Sequence, residues 1–223
     1  MKKMCLMLAM VMVFSLACVG TAKAALLNFE LALPDIFSDS TGTFSYNATT
    51  NLFTSTATAL TITFDGTTLV NIDNGSYLAK FYVDESGNYT GGVAGADLLI
   101  TGDIDIDGDS VYDLTGTLIA GEVDKFGWFD TGTSFDLFNY TFDFTSGALA
   151  SYYAAYQNLG GDAMSSETSS FTGSFLVNFG SGALGKTKHD TAPITPEPTS
   201  MVLLGSGLLG LVAAGMRKKK QIA

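Results

Sequence analysis

The densest run of groups able to do chemistry is Asp103-Ile104-Asp105-Ile106-Asp107-Gly108-Asp109, with Asp113 four residues on. Alternate carboxylates followed by glycine match the first half of a calcium loop, in which the glycine turns the chain sharply and several oxygens converge on a hard cation. The candidate ligands are Asp103, Asp105, Asp107, Asp109 and Asp113. The twelfth position is Leu114 rather than a bidentate glutamate, and no helix-forming sequence flanks the run. The same residues also make an acidic β-turn whose carboxylates face water while Ile104 and Ile106 pack inward. Both readings stay open on sequence alone.

Catalytic groups are sparse. Cys5 and Cys18 both lie near the N-terminus, so residues 25–195 contain no thiol nucleophile, disulfide or zinc–thiolate site. The single histidine, His189, falls in a polar, proline-containing stretch read as a stalk, where no serine is expected to be held against it. Glu30, Glu85, Glu122 and Glu167 are the only glutamates of that region, and none sits in a hydrolase motif. Trp128, flanked by Phe126 and Phe129, is either a sugar-stacking platform or core. No catalytic residue is assigned.

These groups must be carried by strands. Tyr77, Ala79, Phe81 and Val83 share one parity, as do Leu27, Phe29, Leu31 and Leu33. Leu60, Ile62 and Phe64 follow the same rule, and so do Phe171, Phe175, Val177 and Phe179. Phe138, Tyr140, Phe142 and Phe144 form an aromatic stripe with Asp136 on its parity. A period of two in Thr, Phe, Tyr and Val predicts half-buried antiparallel strands. Turn signals divide them at Asn47–Asn51, Asp65-Gly66, Asn74-Gly75, Ser86-Gly87-Asn88, Gly91-Gly92, Asp107-Gly108 and Gly160-Gly161. Eight to ten such strands predict an all-β, antiparallel β-sandwich or jelly roll, with Ala148–Leu159 the one candidate helix. The expected organisation is a leader at residues 1–24, an ectodomain at 25–188, a flexible stalk at 189–195 and a C-terminal signal at 196–223. Residues 25–195 carry a formal charge of −17, which argues against nucleic acid as a partner.

The ends carry the remaining information. Lys2 and Lys3 precede an apolar run, and Ala22-Lys23-Ala24 supplies small residues at −3 and −1, so a signal peptide cut between Ala24 and Ala25 is expected. A retained anchor, and a lipoprotein signal at Cys18, are the other readings. At the opposite end Pro196-Glu197-Pro198 is followed by the uncharged run Met201–Met216 and then Arg217, Lys218, Lys219 and Lys220. Those sixteen apolar residues extend about 24 Å as a helix. With Thr199 and Ser200 a transmembrane helix over residues 199–216 just crosses a bilayer, with the cations as a cytoplasmic stop.

The order of short motif, short apolar helix and basic stop closely resembles the PEP-CTERM sorting domain of Gram-negative bacteria. That resemblance implies export by the Sec translocon and an inner-membrane-anchored precursor. It further implies processing by an exosortase, and a destination on the cell surface or in an exopolysaccharide and biofilm matrix. The phrases Gly42–Asn47, Leu114–Leu118 and Phe171–Phe175 resemble β-rich ectodomains found ahead of such tails. The expectation is a sorted surface or matrix protein without catalytic activity. The alternatives are a calcium-assisted module binding extracellular polysaccharide, and an extracellular glycan hydrolase.

Overall fold

The computed structural model describes residues 25–39, 41–182 and 185–195. The expected leader residues Ala22 and Ala24, the motif Pro196–Pro198, the apolar run and the basic stop lie outside the described residues. Ala25 is the first described residue and is exposed. The strands are β1 (Glu30–Leu31), β2 (Asp35–Ser38), β3 (Thr43–Asn47), β4 (Leu52–Ala57), β5 (Ala59–Thr63), β6 (Leu69–Val83), β7 (Tyr89–Gly92), β8 (Leu98–Ile104) and β9 (Leu114–Asp130). They continue with β10 (Asp136–Ser146), helix α1 (Ala150–Ala154), β11 (Leu159–Ser166), β12 (Phe179–Gly180) and β13 (Thr187–Thr195).

The all-β, antiparallel expectation holds, but the architecture is a closed barrel rather than a clear sandwich. The ring runs β6-β5-β2-β13-β11-β10-β9-β8 and returns to β6 through the β6–β8 pairing. The long strand β6 makes closure possible, because it pairs on both edges. Residues 69–71 pair with β5 and 77–82 with β4 on one side, while β8 and β7 take the other. The extra strands β3 and β12 extend from β4. Alternating hydrophobicity is common to sandwich and barrel, since both bury one face of each strand; which one forms is decided by whether the last edge finds the first.

Several turn signals are absorbed into strands. Asn74-Gly75 lies inside β6 at a register shift, with Asn74 in the left-handed region (φ 52°), a conformation asparagine tolerates. Gly91-Gly92 and Gly160-Gly161 likewise sit in β7 and β11. Asp65-Gly66, Ser86-Gly87-Asn88 and Asp107-Gly108 are turns, as expected.

The barrel interior is aromatic. Phe138, Tyr140, Phe142 and Phe144 are buried, as are Tyr77, Ala79, Phe81 and Val83, so both stripes line the inside. Ring centroids of Phe44 and Phe138 lie 5.0 Å apart and those of Phe53 and Phe81 5.2 Å. Phe171, Phe175 and Phe179, expected on a strand, instead belong to the connection between β11 and β13, of which only Phe179–Gly180 is strand. Val177 on the same parity is exposed. Phe171 meets Trp128 at 5.2 Å and Phe179 at 4.5 Å, so this connection plugs one mouth. At the other end α1 brings Tyr153 to 4.8 Å from Phe144 and 6.0 Å from Phe142. Residues 27–33 do not form the expected long strand; only Glu30–Leu31 does.

The stalk expected at 189–195 is a correction. Thr187–Thr195 is β13, paired with β11 along one edge and with β2 and β1 along the other. The folded body therefore runs to residue 195, not 188. Its polarity misleads because the inward residues Thr187, His189 and Thr191 are buried against polar partners rather than apolar ones.

Phe142 is fully buried beneath α1. Truncation to Phe142→Ala is expected to cost about 3–5 kcal/mol, read as a lowered urea midpoint of residues 25–195 at unchanged m-value.

Candidate functional site

The Asp-rich run forms the connection between β8 and β9. Asp105, Asp107 and Asp109 each place a carboxylate oxygen within 4.8 Å of the others. Asp103 and Asp113 are not part of this group. Asp103, on β8, accepts from Asn74 Nδ2 (3.0 Å), and Asp113 accepts from the Ile106 N–H (2.7 Å). The three converging carboxylates also cap their own turn. Asp105 accepts from the Gly108 and Ser110 N–H groups (both 2.8 Å), Asp107 from Asp109 (3.2 Å), and Asp109 from Val111 (2.8 Å). Ile104 packs in the core as expected, whereas Ile106 is 40% exposed. The loop thus brings three carboxylates together, each already accepting from a backbone N–H.

A second cluster, unmarked in the sequence, lies inside the barrel. His189 on β13 places Nδ1 3.0 Å from Asp162 Oδ1 on β11 and Nε2 2.8 Å from Ser55 Oγ on β4. Asp162 Oδ2 also accepts from Thr191 Oγ1 (2.6 Å) and Tyr77 OH (3.1 Å), and Tyr77 is hydrogen-bonded to Tyr140. The Tyr77 ring lies 3.9 Å from the imidazole centroid. The atoms follow the order of a serine–histidine–aspartate triad, an arrangement that placing His189 in a stalk had excluded. Accessibility separates it from such a triad: Ser55 and Asp162 are 0% exposed and His189 2%. Ser55 Oγ also lies 3.1 Å from the Thr43 carbonyl, to which it donates. Sealed from solvent, these groups link β4, β6, β10, β11 and β13 across the barrel. Only a register placing 55, 77, 162 and 189 on inward faces of different strands could have revealed it.

Trp128 and Phe126 are core residues, each 6% exposed, and Phe129 alone of the three faces solvent. The sugar-platform reading loses its indole.

Asp35 and Asp190 form a pair of neighbouring carboxyl groups near the β2–β13 seam, and each has a buried Oδ1 without another partner. Burial, reinforced by Asp190, pushes the Asp35 carboxyl up to about 8; burial raises Asp190 as well. The folded chain therefore holds a proton that the unfolded chain releases above its ordinary value near 3.8. Stability linked to this pair is full below that value and declines as pH rises towards 8. Asp35→Asn is expected to flatten the decline and to melt above wild type at pH 8 in a pH series of thermal unfolding; parallel curves would contradict the assignment. For the acidic loop, Asp105→Ala is expected to cost about 1–2 kcal/mol through two lost turn bonds. The cost should be equal in EDTA and in millimolar calcium, and a calcium-dependent component would place a cation there.

β13 runs to Thr195, the last described residue. Among the described residues no helix is long and apolar enough to cross a membrane. No curated protein and no solved structure matches the chain. One family model does match, over residues 195–219: the chain carries a PEP-CTERM protein-sorting motif, which begins at the last residue of the barrel's final strand.

Proposed function

We propose that this is an exported protein delivered by its PEP-CTERM tail to an exosortase, and that its barrel serves as a non-catalytic structural unit of the cell surface or of an exopolysaccharide matrix. The sorting motif carries the first half of this reading. The second half is supported by the barrel interior, occupied by aromatic side chains and by the Asp162–His189 network, with Ser55 sealed from solvent. The formal charge of −17 on residues 25–195 keeps such a unit soluble and self-repelling. Export is assigned to the Sec translocon, with the inner membrane holding the precursor through the tail.

A calcium-assisted polysaccharide-binding module is the second reading. The convergence of Asp105, Asp107 and Asp109 favours it, and the calcium comparison at Asp105 tests it.

Intact-mass spectrometry of protein from the native host is expected to show an N-terminus at Ala25 and loss of the residues after about 195–199. Glu197→Ala should leave precursor in the membrane fraction. A tail retained through Ala223 in most wild-type molecules would overturn the sorting assignment.

A further inference from the structure

The residues just ahead of the sorting motif are held differently from the rest of β13. Pairing with β11 extends from Thr187 only to Pro193, and pairing with β2 covers Asp190 and Thr191. Beyond that, Ile194 and Thr195 pair with Leu31 and Glu30 of β1 alone. The Ala32 N–H donates to the Pro193 carbonyl at 2.7 Å.

β1 is the end of a segment that leaves the sheet. Residues 25–29 cross the outside of β11, β10 and β9, over two glycines that leave room for them. An added Cβ would lie 2.9 Å from the Phe29 ring at Gly161 and 2.7 Å from the Ala25 carbonyl at Gly127. Asn139 on β10 clasps the segment by its backbone: Leu27 N–H donates to Oδ1 (2.9 Å) and Nδ2 donates to the Leu27 carbonyl (2.8 Å). Beside it lies a cavity of about 310 Å³ bounded by Leu27, Phe29, Thr141, Leu159, Ile194 and Thr195. Thr141 Oγ1 is buried there without a partner. The segment is therefore tied at two points, by Asn139 and by β1, with a cavity beside it.

A processing enzyme that takes its substrate as an extended strand needs free backbone edges on both sides of the motif. At about 3.5 Å per residue, Glu197 reaches no more than about 7 Å from Thr195. The barrel wall thus stands directly upstream of the motif. We propose that residues 25–31 are a displaceable strap controlling exosortase access. Docked, β1 occupies the edge of Ile194 and Thr195; lifted, it frees that edge as a strand-addition surface for the enzyme. The eight-strand ring stays closed in both states, because β13 remains paired with β11 and β2. This inference rests on the exosortase reading.

The test follows conversion of full-length precursor in the native host by pulse-chase. Ala32–Pro193 is the hydrogen-bonded pair, so Leu31 and Ile194 fall at the next, closer pair, which suits a disulfide. Outside the leader the chain has no other cysteine, and the exported compartment is oxidising. In the Leu31→Cys/Ile194→Cys variant, processing is expected to slow several-fold when oxidised and to recover on reduction. Asn139→Ala, which unties Leu27, should accelerate it. Six Gly/Ser residues inserted between Thr195 and Pro196 should make it insensitive to the crosslink. If precursor is converted at one rate in every variant, or more slowly with the insertion, the strap is refuted while the exosortase reading stands. No conversion in wild type or any variant refutes both.

Discussion

An eight-stranded barrel encloses a space just wide enough for side chains to fill, and everything else in this molecule depends on filling it. Strand pairing supplies the wall, but a ring of hydrogen-bonded strands with an under-packed interior would leave rings and methyl groups without partners. The chain answers with buried aromatic residues on β3, β4, β6, β9 and β10 and with caps at both mouths. Phe171, Phe175 and Phe179 close one, and Leu149 with Tyr153 the other. The caps come from the two connections either side of β11, so neither is a free loop. The same filling turns Trp128 from a surface platform into core.

The polar groups inside are tolerable only because they are collected. A lone buried aspartate or histidine is costly, and a partly satisfied network is worse than an apolar one. Asp162 has three donors drawn from two further strands, and His189 is occupied at both ring nitrogens. Because Ser55, Tyr77, Tyr140, Asp162 and His189 belong to five strands, the network can be complete in only one register of the ring. The order of atoms resembles that of a hydrolase triad, but the burial does not.

Placing β13 in the ring changes the meaning of the C-terminal tail. A motif on a flexible stalk is presented to its enzyme independently of the folded body. A motif that begins at the last residue of a wall strand is tied to that body, and Glu30 and Leu31 pair with Thr195 and Ile194 at its start. Residues 30–31 and 194–195 thereby become neighbours although they lie far apart in the sequence.

The sequence by itself determined the strands whose inward residues are apolar. Tyr77–Val83 and Phe138–Phe144 announce their buried face by alternation, because a strand has only two faces and water is excluded from one. It also determined the tail, since Pro-Glu-Pro, an uncharged run and four cations are contiguous and need no fold to be recognised. The tertiary structure decided the rest. β13 was hidden because Thr187, His189 and Thr191 become favourable in the core only when Asp162, Ser166 and Ser55 arrive from other strands. That Asp103 accepts from Asn74 and Asp113 from the Ile106 amide was likewise not legible, because those donors are brought to them by the fold. Closure itself was invisible, because a two-residue period records which face of each strand is dry but not which strand lies beside it.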